Sequence, residues 1–169
     1  MLAEPDATGI RYLRGDATAP LGRGNKIIAH ICNDLGGWGA GFVLALSRRW
    51  AAPEAEYRAW AASGEDFVLG KTRFVPVESR PDGRIWVANL IGQHGLAPDQ
   101  RGNPPIRYAA VEEGLRRIAV FAKENEASLH MPRIGCGLAG GIWEKIAPLI
   151  EAAICAQGLE ATVYDLPGR

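Results

Sequence analysis

Apolar positions along this chain switch repeatedly between alternating and helical spacing. Ile10, Arg11, Tyr12 and Leu13 alternate, predicting a strand that ends at Gly15-Asp16, with a polar turn over 16–20. Residues 26–31 predict a buried strand. Val43, Leu46 and Trp50 then share one helical face, with Arg48 and Arg49 pointing outward. Pro53 opens a second short helix, because proline suits the first helical turn, and Tyr57 and Trp60 follow at near-helical spacing until Gly64 breaks the pattern. Residues 71–77 and 84–91 predict a hairpin around Pro81-Asp82-Gly83. Residues 92–105 form a polar loop, long for a compact domain. Helical periodicity over 106–123 runs through Val111, Leu115, Ile118 and Phe121. A short strand over 127–131, a helix within 142–156 and a last strand over 161–166 complete the pattern.

Strands alternating with helices, plus one hairpin, predict a single α/β domain over 1–169: a three-layer α/β/α arrangement with a mixed, mostly parallel sheet. Residues 1–8 read as a loose leader. No repeat or linker divides the chain.

Two loops stand out. Residues 33–41 and 132–141 each follow a strand, precede a helix and are rich in glycine. In open α/β sheets such loops gather at the carboxyl edge of the strands, where ligands bind. A loop that opens a helix aims free N–H groups and the positive end of the helix dipole outward, an arrangement suited to phosphate as well as to a tight turn. Neither loop matches the GxGxxG or GxxxxGK[ST] pattern.

Composition narrows the classes. Hydrophobic content of 47% and charged content of 22% are ordinary for a globular protein. Nineteen basic residues balance nineteen acidic ones, and no Lys/Arg run marks a nucleic-acid surface, so nucleic acid is not an expected partner. Glycine (21) and proline (11) stand well above average usage without forming low-complexity tracts, which marks many shaped loops. Cys32, Cys136 and Cys155 have no paired or metal-like spacing, and the three scattered histidines exclude a zinc pattern; no metal is expected. The first residues carry no signal-peptide pattern and no run has the length of a membrane span, so the expectation is a cytoplasmic protein away from the membrane, monomeric in the simplest case.

Several strings, in order and nearly end to end, resemble a macro domain: Arg14-Gly15-Asp16-Ala17-Thr18, Ile28-Ala29-His30-Ile31-Cys32-Asn33, Trp38-Gly39-Ala40-Gly41, Met131-Pro132-Arg133-Ile134-Gly135-Cys136-Gly137-Leu138 with Trp143-Glu144, and Thr162-Val163-Tyr164-Asp165-Leu166. The likeness is strongest to the branch that holds the terminal ADP-ribose protein glycohydrolase and the macro domain of a chromatin remodeller. It implies ADP-ribose as ligand or product, with no other cofactor, and ADP-ribosylated proteins as partners. By the same resemblance, Asp16, with Ala17 beside it, accepts a hydrogen bond from the adenine amino group. Gly37, Trp38, Gly39, Ala40 and Gly41 face the distal ribose and nearby phosphate, and Ile134, Gly135, Cys136, Gly137, Leu138, Ala139 and Gly140 wrap the diphosphate. Tyr164 either borders the adenine with Asp165 and Leu166 or is a core aromatic; Trp38 either lids the ribose or packs under the sheet edge; Arg133 pairs with a carboxylate or a phosphate.

The departures are as informative. The resemblance places a catalytic aspartate after Gly-Cys-Gly-Leu and a catalytic lysine just past residues 87–91; this chain has Ala139 and Gly92-Gln93-His94 there. A lysine nucleophile is therefore absent. Asn33, Asp34, Gln93 and His94 remain near the distal ribose: Asp34 as base, His94 as acid or orienter, Asn33 and Gln93 as holders of hydroxyls. Asp34 is equally a helix-capping residue and His94 an exposed loop residue on the same signal. His30 and His130 read as core histidines, and Cys136 fits its loop by being small. Three functions follow: removal of ADP-ribose from glutamate or aspartate esters, removal of an acetyl or 1″-phosphate from the ribose, or binding without turnover.

Overall fold

A computed structural model describes residues 3–167. Six strands form one sheet in the order β1-β6-β5-β2-β4-β3: β1 (Ile10–Arg14), β2 (Asn25–Asn33), β3 (Thr72–Arg80), β4 (Gly83–Gln93), β5 (Ala127–Met131) and β6 (Ala161–Asp165). Every pairing is parallel except β3 on β4, the hairpin. The expected mixed, mostly parallel sheet is therefore the one found.

Helices cover both faces, as alternating patterning requires. On one side lie α1 (Phe42–Arg49) and α2 (Ala52–Ser63), where Val43, Leu46, Tyr57 and Trp60 meet Ile28, Val87 and Ile91. On the other, α3 (Tyr108–Glu124) and α4 (Trp143–Ala153) bury Val111, Leu115, Ile118, Ile146 and Ile150 against Ile27, Leu90, Leu129 and Val163. Gly114 lets α3 lie close on β4, since a β-carbon there would overlap the Leu90 side chain.

Strand β2 runs Asn25–Asn33 and β3 Thr72–Arg80, longer than the expected 26–31 and 71–77, and two further boundary differences shape the site. Gly92 and Gln93 continue β4 rather than open the loop, because β2 still pairs there through Asn33↔Gln93 after a register shift. Ile106 and Arg107 precede α3: Ile106 bridges Gln93 and gives its N–H to Ala139. Residues 1–2 of the expected leader lie outside the described residues; the rest ends in a turn where the Thr8 N–H and hydroxyl bond Asp6 and Gly9 N–H bonds its carbonyl. Among the described residues, no helix is long and apolar enough to cross a membrane.

Candidate active site at the carboxyl edge

Because β1, β2, β4, β5 and β6 run parallel, the segments that follow them meet at one edge of the sheet. There, Asp34 N–H bonds Gln93 O, His94 N–H bonds Pro105 O, and Ile106 N–H bonds Ala139 O, so three loops are joined in series.

The loop after β2 is built on Asn33. Its Oδ1 accepts from Leu35 N and Gly37 N at 3.0 Å each, and its Nδ2 donates to Gly37 O at 2.8 Å. The buried Tyr57 hydroxyl lies 2.5 Å from Asn33 O and 3.0 Å from Asn33 Oδ1, and accepts from Gly36 N. The Asn33 amide is therefore spent on the loop, where the sequence placed it on ribose hydroxyls. Trp38 packs beneath the loop: it is 5% exposed, its indole N–H donates to Ser47 Oγ, and its ring meets His30 edge-on. Beyond it Gly39, Ala40 and Gly41 are exposed, and their N–H groups have no acceptor among the described residues. Gly41 caps α1 without a side-chain bond.

The loop after β5 faces it. Gly141 N–H bonds Gly135 O at 2.7 Å and Gly140 N–H bonds Gly137 O, closing the loop on itself. A β-carbon on Gly141 would stand 2.5 Å from Gly135 O, so only glycine fits this closure. The N–H groups of Gly135, Gly137, Leu138 and Ala139 find no acceptor among the described residues, a row of donors of the kind that holds anions. Leu138 reaches to 3.7 Å from a β-carbon position on Gly41, so the two loops form opposite walls of one cleft. Ile134 and the Ala139 side chain are buried, and Cys136 is half-buried with its thiol pushed up by burial.

Asp16 is exposed at the end of β1. Its Oδ1 accepts from Thr18 N and Oγ1 at 2.8 and 2.7 Å, which leaves Oδ2 open; Ala17 beside it is buried. Tyr164 is 3% exposed and props this region from below: its hydroxyl accepts from Leu21 N and stands 2.7 Å from His130 Nδ1. It is a core aromatic, and Leu166 is the exposed residue at that end. Arg133 pairs with a carboxylate: Nε and Nη2 bond the two Asp165 oxygens at 2.8 and 3.0 Å, with the guanidinium over Tyr12 and Trp143. That partner raises the Arg133 pKa and lowers that of Asp165.

The structure brings Asp34 and His94 together. His94 Nδ1 lies 2.6 Å from Asp34 Oδ2, and Gly95 N–H donates to Asp34 Oδ1 at 2.8 Å. Burial alone would raise the Asp34 carboxyl, but the Gly95 N–H and the His94 ring outweigh it and hold it below the usual range. An ionised carboxylate only accepts, so Nδ1 of His94 is the donor to it, and in the neutral ring Nε2 is then the acceptor, on a ring 63% exposed. Gln93 donates Nε2 to Gly95 O and steadies the same turn. Sequence reading singled out both partners but not their contact. It missed Tyr57 as a loop strut, since a tyrosine at helical spacing looks like any core aromatic.

The chain is similar to proteins already described. It is 53% identical to the structure of a macrodomain protein from Streptomyces coelicolor, covering 92% of this chain and 98% of that one with a TM-score of 0.78. It is 35% identical over 167 residues to the Chromodomain-helicase-DNA-binding protein 1-like of Mus musculus, covering 96% of this chain but only 18% of that protein's length. It is 27% identical over 165 residues to the human ADP-ribose glycohydrolase OARD1, covering 96% and 95% of the two chains. No protein-family model matches the chain.

Proposed function

The chain belongs to the macro domain family, and from that premise we propose that it binds ADP-ribose and hydrolyses it from glutamate or aspartate esters on proteins. The name of the related human glycohydrolase supports a hydrolytic role on ADP-ribose. In this reading the open Oδ2 of Asp16 accepts from the adenine amino group. The free N–H groups of Gly135, Gly137, Leu138 and Ala139 hold the diphosphate, and those of Gly39, Ala40 and Gly41 face the distal ribose and its phosphate.

The observation that carries the catalytic part is the Asp34–His94 pair beside the ribose loop. The roles reverse the sequence expectation. Asp34, with both oxygens engaged, orients the ring, and His94 Nε2 is the base. Water attacks the anomeric carbon and gives its proton to Nε2 as the bond from that carbon to the ester oxygen breaks. The glutamate or aspartate departs as a carboxylate and needs no proton. A single base is thus sufficient, and no lysine nucleophile is required.

A second reading, an ADP-ribose binder without turnover, draws on Ala139. Its side chain is buried in the core, so the position that carries an aspartate in the resembling glycohydrolase contributes no acid here. Incubation with a glutamate-ADP-ribosylated protein, and in parallel with O-acetyl-ADP-ribose and ADP-ribose 1″-phosphate, separates the readings. Release of ADP-ribose from the protein alone is the expected outcome. Turnover of the small esters instead reassigns the leaving group, and unchanged substrates with measurable ADP-ribose binding leave the binder.

A further inference from the structure

The carboxyl edge carries a concentration of exposed apolar side chains. Among the described residues, nine large apolar side chains are exposed. Six of them, Leu35, Leu44, Leu96, Leu138, Ile142 and Leu166, stand on loops or first helical turns leaving β2, β4, β5 and β6. Scattered exposed leucines are ordinary, but their concentration around one mouth marks a contact surface.

Two of them flank the catalytic pair. Leu35 follows Asp34 and Leu96 follows Gly95, whose N–H is bonded to Asp34, so both leucines stand on the backbone that this contact joins. They are 65% and 60% exposed, and Leu96 Cδ2 comes to 3.4 Å from a β-carbon position on Gly37. Leu138, 69% exposed, stands on the facing wall.

The free N–H donors of the loops match the diphosphate, whereas Leu35 and Leu96 stand beside the Asp34–His94 pair, where the ADP-ribose reading puts the bond to the polypeptide. The substrate changes character at the anomeric carbon, where ADP-ribose gives way to polypeptide. We infer that Leu35 and Leu96, with Leu138 opposite, dock the polypeptide that carries the ADP-ribose and favour modified acidic residues flanked by aliphatic side chains. This inference rests on the ADP-ribose reading of the cleft.

The test is calorimetry on the full chain with three probes. Two are peptides bearing ADP-ribose through a stable glutamine amide, one with leucine and valine beside the modified residue and one with serines; the third is free ADP-ribose. The wild-type protein is expected to bind the aliphatic peptide roughly tenfold more tightly than the serine peptide, the effect of burying about two partly exposed leucines. The double substitution Leu35→Ser, Leu96→Ser, and its alanine counterpart, are expected to erase that difference and leave free ADP-ribose affinity within about twofold. Equal wild-type affinity for the two peptides overturns the docking surface. So does a parallel loss for all three probes, which would place the leucines in the nucleotide cleft or the fold. Failure of the wild type to bind free ADP-ribose overturns the functional reading, and the docking surface with it.

Discussion

His94 Nδ1 stands 2.6 Å from Asp34 Oδ2, joining the loops after β2 and β4 across 60 positions of sequence. The second Asp34 oxygen is held by Gly95 N–H, so the carboxylate cannot turn away from the ring. An imidazole fixed in this manner has one tautomer and one free nitrogen, the arrangement that makes histidine an efficient base.

His94→Ala is therefore expected to lower kcat on a glutamate-ADP-ribosylated peptide by about 10²–10⁴ while leaving ADP-ribose affinity nearly unchanged. Asp34→Asn is expected to cause a comparable loss, because its amide donates to Nδ1 and moves the ring proton to Nε2. Steady-state kinetics with calorimetry reads both; an unaltered kcat in His94→Ala moves the chemistry to another group.

Asp16→Ala removes the proposed adenine acceptor. ADP-ribose affinity is expected to fall roughly tenfold or more, as for loss of a charge-assisted hydrogen bond. Affinity for ribose 5-diphosphate, which lacks the base, is expected to stay constant. An equal loss for both ligands would mean that Asp16 acts only through the Thr18 turn it organises.

Tyr57→Phe keeps the ring in its pocket and deletes one hydroxyl. That hydroxyl serves Asn33 O, Asn33 Oδ1 and Gly36 N–H inside a fully buried site. The expected cost is about 1–3 kcal/mol of stability, read from urea unfolding, for buried groups left unpaired. Because Asp34 follows Asn33 directly, kcat is expected to fall more than ADP-ribose affinity.

The periodicities predicted the elements because α3 and α4 each bury one stripe while the central strands are apolar runs buried on both faces; the strand over 127–131 has the same bounds in the structure. Gly92 and Gln93 were illegible as strand, since glycine and glutamine carry no β signal and only pairing with Asn33 extends β4. Ile106 matched the helical spacing of Val111 and Leu115, yet it is held by Gln93 and Ala139, contacts distant in sequence. In the site, the glycine-rich loops announced themselves by composition. The facing of individual side chains did not: Trp38, Tyr164 and Arg133 each had two chemically sound destinations, and Ser47, His130 and Asp165 decide among them only in three dimensions.

His30 and His130 govern the acid limit of the fold. Burial, against the partial support of Asn89, pushes His30 down to about 4; burial, with Lys26 and Arg11 nearby, pushes His130 down to about 3. Their bonding agrees with neutral rings. Asn89 gives its amide to Pro53 O, so its Oδ1 accepts from His30 Nε2 at 2.5 Å and leaves the buried Nδ1 as a bare acceptor. For His130, Nδ1 accepts from the Tyr164 hydroxyl and Nε2 meets Ser128 Oγ at 2.7 Å. In the unfolded chain both rings titrate near 6.5. Between that value and the folded ones, the unfolded state takes up protons that the folded state refuses, so stability is complete above about pH 6.5 and falls as pH drops towards 4 and then 3. Each histidine contributes a slope of about 1.4 kcal/mol per pH unit, roughly 5 kcal/mol for the pair by pH 4.5 and comparable to the whole stability of a typical domain. The carboxylates held below their usual range, Asp34 and Asp165 among them, add their loss only at lower pH. Urea unfolding at pH 7.5 and pH 5 is expected to show this decline in the wild type. His130→Gln is expected to lower stability at pH 7.5 but to cut its pH dependence by about half, and an undiminished slope would exclude His130 as the titrating group.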